Sequence, residues 1–185
     1  MNGFYNLTVA GVNRNLPICP INDNISIAAF IIFGDVELTV NCAAELLKKA
    51  PPHDIMITAE AKGIPLIHEM ARQSGMNKYI VARKAPKLYM KDVETVNVKS
   101  ISTAKTQTLC IGGEDAELIR GRRVLIVDDV ISTGGSVFAV EELIRQVGGS
   151  IAGKMAILAE GDAITRDDII YLEKLPLFDS NGKPL

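Results

Sequence analysis

The stretch VLIVDDVISTGGS, Val124 to Ser136, carries most of what this chain discloses about itself. Val124 to Val127 are consecutive β-formers and predict a strand buried on both faces, the pattern of a parallel sheet. Asp128 and Asp129 then fall just past its carboxyl end, where open parallel sheets bind ligands. Adjacent carboxylates repel each other, so the pair calls for hydrogen-bond donors that satisfy both. Next comes a Thr-Gly-Gly turn, and from Ser136 to Val147 the apolar spacing predicts a helix closed by Gly148-Gly149.

The turn suits an anion. Gly134 and Gly135 remove the Cβ atoms that would hold a ligand away from the backbone. Ser132, Thr133 and Ser136 supply hydroxyl donors, and the free N–H groups at the helix start point into the same space. A dianionic phosphate monoester fits such a cradle, and the cis hydroxyls of a ribose offer Asp128 and Asp129 their two donors. Phosphate and diol can therefore be held at opposite ends of one sugar. The chain contains neither GxxxxGK[ST] nor GxGxxG, so neither an NTPase loop nor a dinucleotide fingerprint competes.

Working outward, residues 151–158 read as the next strand, and Ile55 to Ala59 as an earlier one. TAEAKGIPL, Thr58 to Leu66, leads into a helix from Pro65 to Ser74, and Tyr79 to Ala82 forms another strand, completing a βαβ unit. Val36, Val40, Ala43 and Leu47 predict one buried helix face before Pro51-Pro52. Residues 1–33 read as a small irregular lobe with short β pieces such as Tyr5 to Val9. Residues 91–121 are polar and low in periodicity and read as a mobile loop region, with β-hairpin pairing of 93–98 and 106–111 inside it. Leu175 to Phe178 reads as an edge piece.

The length, 185 residues, fits one domain. A net charge of −2 speaks against a general nucleic-acid or membrane surface. The apolar run Ile25 to Phe33 is too short to span a bilayer. Three scattered cysteines, Cys19, Cys42 and Cys110, read as reduced thiols of a cytoplasmic protein, and His53 and His68 stand at no metal-ligand spacing from them. The N-terminus shows no signal peptide.

The Val124–Ser136 stretch resembles the PRPP (5-phosphoribosyl 1-pyrophosphate) motif of type I phosphoribosyltransferases. The segment Glu60-Ala61-Lys62-Gly63 resembles that family's pyrophosphate loop, with Lys62 where Arg is usual, a point charge in place of a bidentate fork. Arg83-Lys84-Ala-Pro-Lys87-Leu88 resembles the RKxxKLP run of adenine and xanthine phosphoribosyltransferases. The three segments occur in the family's order.

The resemblance implies a doubly wound α/β fold with a mainly parallel sheet. Residues 1–33, joined by 160–185, would form a small hood lobe. It implies that Asp128 and Asp129 bind the ribose hydroxyls, Ser132 to Ser136 the 5′-phosphate, and Glu60 to Gly63 with Arg83, Lys84 and Lys87 the pyrophosphate. Asp128, Asp129 and Lys105 are the expected catalytic residues, Mg²⁺ arrives with PRPP, and the chain is expected as a homodimer acting on a purine base. Two departures keep other readings open. Ser102 and Thr103 stand where adenine-type enzymes usually carry Glu-Tyr, and Gly161 follows Glu160 where bacterial xanthine-type enzymes have Glu-Lys. A non-catalytic PRPP or nucleotide sensor, or an enzyme for a non-purine base, are the alternatives.

Overall fold

The computed structural model describes residues 3–99 and 106–185. Its centre is a parallel sheet with strand order β10-β9-β8-β4-β5, formed by Ile55–Ala59 (β4), Ile80–Ala82 (β5), Arg123–Ile131 (β8), Ser150–Glu160 (β9) and Ile170–Leu175 (β10). Side chains alternate between its faces through the middle of the sheet. Met56, Leu125, Val127, Met155 and Ile157 pack with the helices Val36–Lys49 (α1) and Gly63–Ser74 (α2). Ile55, Ile57, Val124, Ile126 and Ala156 face the opposite way, against Gly113–Ile119 (α3) and Gly135–Gln146 (α4). Helices on both faces make the sheet doubly wound, as expected.

The order of the strands places a switch point at the middle of the sheet. From β4 the chain winds through α2 to β5 on one side, and from β8 through α4 to β9 on the other. The crevice between the carboxyl ends of β4 and β8 is where such sheets accept ligands.

Three expectations are corrected. The N-terminal segment is not irregular: Phe4–Val9 (β1), Val12–Pro20 (β2), Ile25–Ala28 (β3) and Leu177–Asp179 (β11) form an antiparallel sheet in the order β1-β2-β3-β11. Its first hairpin turns on Ala10 and Gly11, both at positive φ (51° and 76°), without the Asn-Gly or Asp-Gly pair that marks such turns in sequence. The buried face of α1 is Leu38, Cys42, Ala43 and Leu46, while Val36 and Val40 are exposed. This helix is apolar on two sides, and packing against α2 and the sheet selects one of them. Among the described residues of 91–121 there is one helix that the composition does not predict. Glu94–Lys99 (β6) and Thr106–Ile111 (β7) pair antiparallel as expected, and α3, which the polar composition hid, buries Ala116 and Ile119.

The tail serves both sheets. β10 is the edge strand of the parallel sheet, and after Pro176 the chain crosses to pair β11 with β3. Leu7, Leu16 and Phe178 of the small sheet share a buried cluster with Leu158 and Leu175, which lie toward the carboxyl ends of β9 and β10. Arg14 joins the small sheet to the start of α1 through Asp35, at 2.7 and 2.8 Å. The Asp35 side chain also accepts from the Leu38 N–H at 3.1 Å and so caps that helix.

Candidate active site

Two loops meet at the switch point. β8 is longer than its four apolar residues suggested, because its two neighbours end at different heights. β4 pairs with it only up to Ile57 opposite Ile126, whereas β9 continues alongside to Ile131 opposite Ala159. Asp128 and Asp129 therefore lie inside a strand on the β9 side and beyond the last pair on the β4 side. Their carboxylates sit at the crevice on backbone that is held rigid.

Asp129 is buried, and its Oδ2 accepts a hydrogen bond from Lys62 Nζ at 2.6 Å. The Asp128 Oδ1 accepts from the Asp129 N–H at 2.9 Å. Burial and the neighbouring Asp129 carboxylate raise the Asp128 pKa well above the usual carboxylate range. The site thus holds one acid in an ion pair and a second that resists ionisation, an arrangement that hydrogen-bond donors from a ligand would relieve.

The bend Glu60–Gly63 faces these acids from the end of β4. A Cβ on Gly63 would overlap Thr58 Oγ1 and come within 3.3 Å of Asp128 Oδ1, so only glycine lets the two segments approach. Ala61 is exposed and follows a cis peptide bond. Glu60 pairs with Arg83, their Oε2 and Nε 2.6 Å apart but poorly aligned for a hydrogen bond. Arg83 is in turn fixed by two backbone hydrogen bonds to Cys110 of β7, each 2.8 Å. Lys84 is exposed and Lys87 half-buried on the turn that follows. Among the described residues, Arg83 is the one cation of this run in an ion pair with the bend. Lys105, Ser102 and Thr103 lie outside the described residues.

Ser132, Thr133, Gly134 and Gly135 line a cavity of about 530 Å³ at the start of α4. Gly134 sits in the left-handed region at φ +77° and opens the helix, which leaves the first N–H groups of α4 without partners inside the helix. Ser136 Oγ accepts from Gln107 Nε2 of β7 at 3.0 Å, tying the hairpin to this loop. The same cavity is lined by residues that the motifs did not single out: Phe138, Glu141, Lys154, Arg166 and Asp168. Arg166 and Asp168 belong to the β9–β10 connection. The rule that ligands gather at the carboxyl ends of parallel strands points to that connection, but no motif marks it.

Fold and site together define a doubly wound α/β protein in which paired acids meet the Glu60–Gly63 bend at the switch point, next to the glycine loop that opens α4. The sequence pattern described as "Phosphoribosyl transferase domain" matches residues 39–176, and the chain belongs to this family. It is 33% identical over 109 residues to a hypoxanthine/guanine phosphoribosyltransferase of Methanosarcina mazei, an alignment covering 59% of this chain and 53% of that protein, so it spans about half of that relative. It is 32% identical over 134 residues to an adenine phosphoribosyltransferase of Oenococcus oeni, covering 71% and 73% of the two chains. The crystal structure of an adenine phosphoribosyltransferase from Thermoanaerobacter pseudethanolicus superposes with a TM-score of 0.60 at 26% identity, over 73% of this chain and 80% of that one.

Proposed function

We propose that this chain is a purine phosphoribosyltransferase, which transfers the 5-phosphoribosyl group of PRPP to a purine base and releases pyrophosphate. The observation that carries this reading is the Lys62–Asp129 contact, 2.6 Å across the switch point, which brings the pyrophosphate-type bend against the acids of the PRPP-type motif. The relatives named for adenine and for hypoxanthine/guanine supply the substrate class.

In this reading Ser132 to Ser136 hold the 5′-phosphate, while Asp128 and Asp129 accept hydrogen bonds from the 2′ and 3′ hydroxyls. Lys62 leaves Asp129 for the pyrophosphate, so one binding event frees both an acid for the sugar and a cation for the leaving group. The backbone of Glu60–Gly63, with Arg83, Lys84 and Lys87, takes the rest of that charge. A base nitrogen then forms a bond to C1′ as the bond to pyrophosphate breaks, through an oxocarbenium-like transition state. The chain's contribution is to align the two reactants and stabilise departing negative charge. Lys105 is assigned to the same leaving group.

Mg²⁺ would enter with the pyrophosphate and keep several waters, so no protein cage is needed for it, and Asp128 and Asp129 serve the sugar hydroxyls rather than the ion. The ion supplies charge neutralisation of the pyrophosphate. Residues 1–33 with β11, from the 160–185 segment, form the hood over the base, and the β6–β7 hairpin borders the phosphate loop through Gln107. We place the protein in the cytoplasm, where its three free thiols remain reduced, and as a homodimer. No helix among the described residues is long and apolar enough to cross a membrane.

The test is a steady-state assay with PRPP, Mg²⁺ and a panel of free bases, following pyrophosphate release. Turnover is expected with adenine, hypoxanthine or guanine and not with uracil or orotate. PRPP binding without release on any base would make the protein a sensor. Release on a pyrimidine alone would overturn the substrate class.

A further inference from the structure

We infer that Arg166 closes the Ser132–Ser136 cradle and binds the 5′-phosphate dianion of substrate and product. The inference rests on the PRPP reading of that loop and adds a residue that the loop's own sequence lacks. Ser132 to Ser136 contain no cation, so by themselves they offer a dianion only N–H and O–H dipoles.

Arg166 reaches the cradle from another part of the chain. It follows the 3₁₀ turn Gly161–Thr165, at the carboxyl end of β9, and its Nη1 lies 2.5 Å from where a Cβ on Gly134 would project. It lines the same cavity as Ser132, Thr133, Gly134 and Gly135. The absence of a Cβ at Gly134 thus serves two purposes. It permits φ +77°, and it leaves room for a guanidinium beside the loop.

The guanidinium is braced in place. Its Nε donates to Asp168 Oδ1 at 2.8 Å and its Nη2 to Asp168 Oδ2 at 2.7 Å, the two-pronged geometry that fixes a guanidinium plane. That leaves Nη1 on the side toward Gly134. Asp168 is also held by Lys154, which reaches Glu141 on α4 at 2.9 Å. Lys154 and Glu141 are largely buried, with side chains 13% and 10% exposed. The chain of contacts therefore runs from the interior of α4 to the cavity wall and back to the loop that opens α4. A group held this way loses little freedom when an anion arrives, so the N–H groups of Nη1 are aimed at the loop at little entropic cost.

The experiment measures the affinity of wild type, Arg166→Lys and Arg166→Ala for AMP and for GMP by calorimetry. Phosphorus-31 NMR follows the titration of the bound phosphate. A hydrogen bond between charged groups is worth enough for Arg166→Ala to weaken the preferred monophosphate by about ten- to a hundredfold, with Arg166→Lys recovering part of the loss. A phosphate monoester loses its second proton near pH about 6. Wild type is expected to lower that value for the bound ligand, and Arg166→Ala to return it toward the free one. Affinity unchanged within about twofold would overturn the proposal, since a charged contact is worth more than that. So would a loss of affinity that leaves the phosphate titration where it was, because Arg166 would then only brace the β9–β10 connection. If wild type binds neither monophosphate nor PRPP, the reading of the loop itself fails, and Arg166 with it.

Discussion

Asp128 is the residue at which folding and ligand binding conflict most openly. Burial, then the adjacent Asp129 carboxylate, raise its pKa in the folded protein. The folded state therefore holds the proton more tightly than the unfolded chain, where the value is about 3.9. The stabilising contribution is complete below that value and is lost as pH rises toward the raised folded value. Asp128→Asn removes the titration while keeping the shape. The variant is expected to melt above wild type at pH 8 and to show a much smaller difference at pH 4.5, checked by calorimetric melts without ligand. The same variant is expected to bind ribose 5-phosphate more weakly, because an amide satisfies the sugar hydroxyls less well than a carboxylate. A melting difference that does not vary with pH would show that Asp128 is ionised at no cost in the free protein.

At the scale of elements, the site depends on how closely the bend after β4 approaches the exposed end of β8. Gly63 sets that distance. Its missing side chain leaves space occupied by buried Thr58 and, slightly farther, by Asp128. Thr58 is β-branched and sits at the end of a fully buried strand, so it has little room to turn aside. Gly63→Ala is therefore expected to cost about 1–3 kcal/mol, the usual range for an overpacked buried position, measured by urea unfolding. Loss of PRPP affinity should accompany it, since relieving the overlap with Thr58 moves the bend relative to Asp128. Unchanged stability would mean that α2 can slide outward without consequence. The extra height of β8 belongs to the same scale. Val124 to Val127 announce the strand in sequence, but the pairing of Val130 and Ile131 with β9 depends on a neighbour that shares no local signal with them.

The whole molecule brings together segments far apart in the chain, 58–63, 128–136 and 160–168, to line one region of its surface. A ligand that touches the first two can bind only the folded state. At a PRPP concentration of about 100 times its dissociation constant, this linkage contributes about 2.7 kcal/mol. For a chain of this size that corresponds to a rise in melting temperature of about 5–11 °C. A thermal shift with PRPP and Mg²⁺ measures it, and a shift no larger than that given by free pyrophosphate with Mg²⁺ would argue against engagement of the sugar and its 5′-phosphate. The small sheet contributes at this scale too, because β11 closes it from the far end of the chain. No local reading of the first thirty-three residues contains that strand.

The sequence by itself determined the alternating strands and helices of the core, the helix-opening Thr-Gly-Gly turn and the paired acids, while the doubly wound fold and the family came from the resemblance those patterns carry. Each is a local pattern of residue types whose physical meaning does not depend on distant partners. The tertiary structure decided which face of α1 is buried, how far β8 extends and what stands across from the phosphate loop. Those depend on which side chains meet in space. Arg166 illustrates the difference: in sequence it is one arginine before two aspartates, and it gains a role only because β9 ends beside the loop that opens α4.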